Sequence, residues 1–197
     1  MLPGNFAATL LMRPAGLPPE VALRSFVAAL ALYDACVALT GRAESFALKW
    51  PNDVLLNGGK LAGILLESAG QAKGVSHLAV GIGVNLGAAP DPGDLETGAL
   101  APVSLLGETG VLVSPEDFLA ELAPAFARWE AVLQTSGFAP VRAAWLSHAA
   151  RLGQPLVART GEARYEGTFQ TLDDRGAIVL ATAEGRKVIA AADIFFG

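Results

Sequence analysis

Two lysines and an aspartate lie close together in one short and otherwise apolar stretch of this sequence. Residues 49–67 read KWPNDVLLNGGKLAGILLE, and both Lys49 and Lys60 have apolar neighbours. A lysine drawn toward a core destabilises the fold unless a negative group meets it. Because Asp53 lies between the two lysines, this stretch predicts a pocket for an anionic ligand.

A simpler interpretation of the same residues is a surface hairpin in which Asp53 pairs with a lysine. Exposed pairs of this kind are common and contribute little to stability. Two features argue against it: Pro51 directly follows Trp50, and the apolar run Leu61–Leu66 should bury the hairpin. We therefore favour the ligand site.

Other common catalytic patterns fit this sequence poorly. Gly81 and Gly83 follow a predicted strand, but no third glycine follows at position 86, as a dinucleotide-binding turn requires. Close strand packing is the plain alternative for these glycines, and the pattern leaves it open. The sequence has no P-loop and no G-x-S-x-G elbow. His77 and His148 have no metal-ligating neighbours, which argues against a zinc site or a histidine-based triad.

Composition narrows the class of protein. The 197 residues are 52% hydrophobic and 17% charged, which favours a folded domain with a core and a small appendage. A net charge of −5 and the lack of a basic run argue against nucleic-acid binding. The single cysteine, Cys36, fits a reducing cytoplasm. Arg24 and Asp34 interrupt the apolar run Val21–Leu39, so we expect a core helix, no membrane span and a cytoplasmic location.

The lysine-bearing stretch requires a strand–turn–strand unit to bring its two ends together. Short strands are predicted over Phe46–Trp50 and Val54–Leu56. Asn57–Gly59 has the composition of a tight turn that needs positive φ. Lys60–Glu67 should therefore run back antiparallel, and a further strand is predicted over His77–Val84.

The remaining pattern predicts one α+β unit followed by a small β unit. The elements expected before residue 150 are a strand over 5–12, helices over 18–41, 114–134 and 140–150, and a loop over 87–101. Ser114 and Pro115 have the types preferred at a helix start. Residues 155–196 contain short β runs separated by turn residues, which is typical of a small barrel or sandwich. We place the boundary near residue 150.

Residues 49–67 resemble the signature of the biotin–protein ligases, and residues 81–86, GIGVNL, resemble the strand that follows it in that family. The resemblance covers most of the chain, from Gly4 through the C-terminal β unit. It implies an α+β fold like that of class II aminoacyl-tRNA synthetases and biotin ligases, with a mixed, mostly antiparallel sheet packed with helices. It further implies an N-terminally truncated catalytic domain over 1–150 and an SH3-like barrel over 151–197.

The resemblance also implies a cytoplasmic enzyme with a two-step reaction. Biotin and ATP, with Mg²⁺, would form biotinyl-5′-AMP, and a lysine of a biotin carboxyl carrier domain would then attack it. Adenylation brings a carboxylate against a phosphate, which needs cations where charge accumulates. The implied catalytic residues are Lys60 and Lys49. The implied binding residues are Lys60, Gly63 and Ile64 for biotin, and Lys49, Asn52, Asp53 and Asn85 for ATP, with Asp53 also a candidate Mg²⁺ ligand.

The sequence departs from the family pattern before Gly4. Family members have a Ser/Thr-containing strand and a Gly/Arg-rich loop there, and neither is present in this sequence. Either the start of the sequence is assigned too far downstream, or the protein is a remnant with weak or no ligase activity. For the sequence as written we expect weak biotin binding, slow turnover, and apolar surface at the place of the missing strand, which favours self-association into a homodimer. A non-catalytic protein that binds biotin or the carrier is the alternative, as is a lipoate or octanoate transferase. An N-terminal DNA-binding helix-turn-helix is also lacking, so a repressor role is not indicated.

Overall fold

Two five-stranded antiparallel sheets organise the chain. The computed structural model describes residues 2–71, 74–91, 93, 99–161 and 163–196. The first sheet contains β1 (Phe6–Met12), β2 (Phe46–Lys49), β3 (Asp53–Leu56), β4 (Gly59–Gln71) and β5 (Gly74–Val84). The second contains β6 (Pro155–Arg159), β7 (Arg164–Leu172), β8 (Ile178–Thr182), β9 (Gly185–Ile189) and β10 (Asp193–Phe195). The α-helices are α1 (Pro18–Ala22), α2 (Arg24–Thr40), α3 (Leu105–Thr109), α4 (Pro115–Ser136) and α5 (Phe138–Ser147).

The first sheet has the strand order β1-β5-β4-β3-β2, and every neighbouring pair is antiparallel. Helices α2 and α4 pack against one of its faces. Ile64, Val80 and Ile82 are buried, and their even positions alternate with more exposed odd ones. Because side chains alternate between the two faces of a strand, the even positions here face the helices. The odd positions therefore lie on the opposite face of the first sheet, which is more exposed and which we call the open face.

The helix ends follow the chemistry of their terminal residues. Ser114 Oγ accepts a hydrogen bond from the Asp117 N–H at 3.1 Å, and Pro115 occupies the first turn of α4, as predicted. Gly41 ends α2 in the left-handed region with φ of 70°, again as predicted. The single helix predicted from Pro18 is instead two helices, which meet at Leu23.

The structure confirms that the predicted helix is buried in the core of the protein. Residues Pro18–Thr40 are long and apolar enough to cross a membrane by length and composition, but 67% of the most apolar window is buried inside the protein. Arg24, the charged residue at its start, is 6% exposed and forms an ion pair with Glu130 of α4 at 2.7 Å. The helix therefore packs as a core element against both the first sheet and α4.

The second sheet has the order β10-β6-β7-β8-β9 and matches the predicted SH3-like unit. It shares one hydrophobic core with the helices and the first sheet. Trp50 Nε1 donates a hydrogen bond to the Gly176 carbonyl, in the turn before β8, at 2.9 Å. Leu48 and Ala149 form a parallel bridge. The second sheet is thus packed directly beside β2.

The lysine-bearing hairpin forms as predicted. Asn57 and Gly58 turn the chain with φ of 50° and 85°, and β4 returns antiparallel to β3. The predicted loop over 87–101 falls partly on 92 and 94–98, which lie outside the described residues. Where this loop ends, the Lys60 N–H donates to the Ala101 carbonyl and the Val103 N–H donates to the Lys60 carbonyl. This segment borders the start of β4.

Candidate functional site

One buried carboxylate holds the two predicted lysines. Asp53 is 7% exposed, and its Oδ2 accepts a hydrogen bond from Lys49 Nζ at 3.3 Å. Its Oδ1 lies 2.6 Å from Lys60 Nζ, in an ion pair without hydrogen-bond alignment. The Lys49 side chain is 13% exposed, whereas that of Lys60 is 47% exposed. The three charges sum to +1, so the group can attract an anion.

A β-bulge directs Lys60 to this group. Val54 pairs with Ala62, but Leu55 pairs with Lys60, so Leu61 is an extra residue on β4. Without the bulge, the even-numbered Lys60 would face the helices, as Ala62 and Ile64 do. The extra residue reverses the alternation, as bulges do near functional sites. Lys60 therefore reaches the open face and meets Asp53.

The open face beside the lysines has few side chains. The cross-strand row that begins at Asp53 continues through Gly63, Gly83 and Ala7. The next row contains Leu65, Gly81 and Thr9. Leu65 is 61% exposed, which is unusual for a leucine in a central strand. The result is a trough along the sheet with an apolar side.

Packing does not require glycine at two of these positions. A Cβ added to Gly63 would lie 3.6 Å from Lys60 Nζ, and one added to Gly81 would lie 3.5 Å from the Leu65 carbonyl oxygen. Both are ordinary contacts, and neither glycine has positive φ. By contrast, a Cβ on Gly59 would collide with Val103. Close packing therefore explains Gly59 but not Gly63 or Gly81, where glycine keeps space free above the sheet.

A cavity of about 420 Å³ opens at the charged group. Its walls come from the hairpin, from the end of the predicted loop, and from β10 of the second sheet. Its lining residues are Lys49, Pro51, Asn52, Asp53, Lys60, Ala99, Leu100, Asp193, Ile194 and Phe195. The contribution of β10 has no signal in the sequence, since the pairing of the two sheets is a long-range contact.

The other predicted site residues have distinct positions. Asn52 lines the cavity, and its Nδ2 donates to the Ile64 carbonyl at 2.7 Å. The Ile64 side chain is 3% exposed and lies on the helix side of the sheet, so only its backbone borders the site. Asn85 Nδ2 donates to the Val103 carbonyl at 3.1 Å, which fixes the segment beside Lys60. The open-face residues that the sequence did not indicate are Leu65 and Thr9.

The donor set around Asp53 fits a protein-held Mg²⁺ poorly. Both of its oxygens are within 3.3 Å of an ammonium nitrogen, and a cation is repelled by that pair. In the part of the chain that the structure describes, no cluster of three or more metal-ligating side chains occurs. The site offers cations to an anion more readily than ligands to a metal.

Two family models match this chain, one in its N-terminal half and one over its C-terminal β unit. The model described as "Biotin/lipoate A/B protein ligase family" matches residues 4–85, and "Biotin protein ligase C terminal domain" matches residues 152–197. A biotin–[acetyl-CoA-carboxylase] ligase of Paracoccus denitrificans is 61% identical over 194 residues, which cover 98% of this chain and 81% of that relative. The bifunctional ligase/repressor BirA of Bacillus spizizenii is 31% identical over 186 residues. The aligned region covers 92% of this chain and 56% of that relative.

Solved structures share the fold. Biotin protein ligase from Aquifex aeolicus, in complex with biotin and ATP, has a TM-score of 0.80 and 23% sequence identity to this chain. The aligned region covers 97% of this chain and 77% of the Aquifex chain. A biotin protein ligase-like protein of unknown function from Silicibacter has a TM-score of 0.81 and 19% sequence identity. The aligned region covers 96% of this chain and 80% of the Silicibacter chain. At these identities the likeness establishes the arrangement of the two sheets and the helices.

Proposed function

Because this chain belongs to the biotin–protein ligase family, we propose that it joins biotin to a lysine of a biotin carboxyl carrier domain, with ATP as the energy source. The observation that carries the proposal is the pair of ammonium groups on Asp53, at the edge of a trough that lacks side chains. That arrangement suits a ligand with an anionic end and a largely apolar body. Biotin has both.

The first step places two anionic groups in contact. A carboxylate oxygen of biotin attacks the α-phosphorus of ATP, pyrophosphate leaves, and biotinyl-5′-AMP results. In this proposal Lys60, which is half exposed beside Gly63, contacts both the carboxylate and the phosphate. Lys49 is more buried and holds a second positive charge near the phosphates. Asp53 fixes both ammonium groups in advance, which reduces the reorganisation needed in the transition state.

The trough on the open face is our proposed seat for the rings and chain of biotin. Gly63 and Gly81 leave room above the backbone, and the exposed side chain of Leu65 supplies apolar surface. Ligand sites in proteins are mostly apolar with a few placed polar groups, which is the balance found here. Asn52 and Asn85 act by fixing the backbone around the site, through Ile64 and Val103 respectively.

The carrier domain needs a docking surface near the lysines, and the free edge of β4 is suitable. β3 pairs with β4 only as far as Gly63, whereas β4 continues to Gln71. Within the described residues, no strand pairs with that edge from Leu66 to Gly70, so its backbone groups can receive a strand from a partner. The carrier lysine would then reach the cavity beside Lys60.

Several finer assignments complete the proposal. We assign residues 1–150 to the catalytic domain and 151–197 to an SH3-like domain that closes the cavity through β10. Mg²⁺ enters as the counterion of ATP, with no protein ligand assigned, because Asp53 is already paired. The protein works in the cytoplasm, where ATP is available and Cys36 stays reduced. The outer edge of β1, with Leu11 67% exposed, supports association into a homodimer.

Replacement of Lys60 by alanine tests the proposed reaction. Lys60→Ala removes the cation nearest the reacting groups, and we expect biotinyl-5′-AMP formation to slow by about 100- to 1000-fold. The measurement is a single-turnover assay with labelled ATP and enzyme in excess over biotin, so that slow formation is still detected. Lys187→Ala is the matched control, since Lys187 is a lysine of β9 paired with Glu184 and remote from the cavity.

The outcomes separate the candidate functions. Unchanged adenylate formation in Lys60→Ala would refute the assignment of Lys60. Binding of biotin without adenylate in the unaltered chain would identify a non-catalytic binding protein. Activation of lipoate or octanoate in preference to biotin would identify a transferase of the related class; the match of residues 152–197 to the biotin ligase C-terminal domain favours biotin.

A further inference from the structure

We propose that Asp193, on β10 of the second sheet, draws the ammonium group of the acceptor lysine into the cavity for the second step of the reaction. This inference rests on the proposed ligase function. It assigns to the SH3-like domain a direct part in choosing the nucleophile, in addition to packing against the hairpin.

The position of Asp193 carries the first part of the argument. Asp193 and Phe195 both line the cavity that contains Lys49, Asp53 and Lys60. Asp193 is exposed, whereas Ile194 between them is 5% exposed and packs in the core. Asp193 is therefore an exposed carboxylate in the wall that β10 contributes to the cavity of Lys49 and Lys60.

Among the described residues, no cationic side chain forms an ion pair with Asp193. Its cross-strand neighbour is Arg159, but the Arg159 guanidinium lies over the Phe195 ring, 4.3 Å from its centroid. Across the described ranges, no lysine or arginine nitrogen lies within 4.0 Å of the Asp193 carboxylate. Asp53, in the same cavity, has two such neighbours. Asp193 is thus a carboxylate available for a cation that arrives from outside.

The second step of the reaction brings such a cation. A lysine amine is protonated near neutral pH and approaches as an ammonium. It loses one proton, its nitrogen forms a bond to the acyl carbon, the bond from that carbon to the phosphate oxygen breaks, and AMP leaves with the electron pair. A second proton leaves the nitrogen as the amide forms. The two lysines at Asp53 repel an arriving ammonium, and Asp193 offsets that repulsion.

The first step, formation of the adenylate, does not benefit from a negative charge at Asp193. ATP is a polyanion, and a free carboxylate in the cavity does not help it to bind. Removal of the Asp193 charge should therefore leave adenylate formation unchanged or slightly faster, while it slows transfer to a cationic acceptor. This opposite response of the two steps distinguishes recruitment of the amine from a general structural role.

The test is Asp193→Asn, and the control is Glu184→Gln, which removes an exposed carboxylate from the turn between β8 and β9, outside the cavity wall. Each enzyme is loaded with biotinyl-5′-AMP, and transfer is then measured to the carrier domain, to ethylamine and to hydroxylamine. Ethylamine is protonated near neutral pH, whereas hydroxylamine is uncharged. In Asp193→Asn we expect transfer to the carrier and to ethylamine to fall about fivefold, as for loss of one solvent-exposed ion pair, with hydroxylamine unchanged.

Each result supports or overturns the inference. The loss of transfer rate in Asp193→Asn should become smaller at high ionic strength, because solvent-exposed charges are screened. An equal loss with hydroxylamine, or unchanged transfer to ethylamine, would overturn it. Slower adenylate formation in Asp193→Asn would also overturn it and place Asp193 with the nucleotide. Absence of adenylate in the unaltered enzyme would instead refute the proposed ligase function, so the two failures are distinct.

Discussion

Two buried carboxylates in this protein have opposite surroundings. Asp53 and Glu130 are each 7% exposed. Glu130 Oε1 accepts hydrogen bonds from Arg24 Nε and Nη2 at 3.1 and 2.7 Å and from Gln134 at 2.8 Å, so one cation matches one anion. Asp53 instead has two ammonium neighbours at the wall of a cavity. Glu130 also borders a cavity, so the difference lies in the charge balance. Excess positive charge at a cavity wall indicates binding of an anion, whereas matched charge between packed helices indicates a structural pair.

Loss of Arg24 should have the largest effect on stability. Arg24→Met leaves Glu130 without its cation between α2 and α4, and removal of one partner of a buried pair costs about 3–5 kcal/mol. We expect the free energy of unfolding to fall by that amount in urea titrations. Lys60→Met is the matched change at the other carboxylate, and it should cost less than about 1 kcal/mol because the Lys60 side chain is 47% exposed. Equal losses in the two variants would contradict the comparison.

Sequence reasoning predicted the local chemistry better than the long-range geometry. The turn at Asn57–Gly58, the cap at Ser114 and the grouping of two lysines around Asp53 follow from residue types within a few positions of one another. The bulge at Leu61 could not be predicted, because it depends on how β4 is paired. For the same reason the sequence did not show that Ile64 faces the core while Leu65 faces the open side. The wall formed by β10 required the docking of two sheets.

The glycines provide a second test of the difference between a binding surface and a packed one. Gly81→Val fills the open trough, and we expect biotin affinity to fall at least tenfold, which is about 1.4 kcal/mol, with little change in stability. Gly59→Ala collides with Val103, so it should lower stability with a smaller effect on biotin affinity. Calorimetric titration with biotin, together with thermal unfolding, measures both quantities. Loss of stability in Gly81→Val that equals the loss in Gly59→Ala would mean that both glycines serve packing.

The smallest expected effect is a pH dependence of the helical layer. The His148 ring stacks on Tyr33 at 3.9 Å between centroids, and burial lowers the pKa of His148 below its usual 6.5, against an opposing effect of Asp34. The unfolded chain therefore binds more protons than the folded one near that pH. Stability should be highest above pH 6.5 and should decline as the pH falls below it.

The variant His148→Phe keeps an aromatic ring on Tyr33 but cannot be protonated. Urea unfolding at several pH values should show a weaker decline on the acid side for this variant than for the unaltered protein. His77→Phe, at a half-buried histidine of β5, is the control and should keep the decline. An identical pH profile in His148→Phe and the unaltered protein would rule out this origin.

The division of the cavity between the β3–β4 hairpin and β10 has a consequence for biosynthesis. During translation, Lys49, Asp53 and Lys60 emerge from the ribosome together and can pair at once, because they are close in sequence. Asp193 and Phe195 are added much later, and the hydrogen bond from Trp50 to Gly176 also awaits that part of the chain. Contacts between distant segments form slowly. The nascent chain therefore has its cations long before the wall of the cavity is complete, which happens only after synthesis has reached β10.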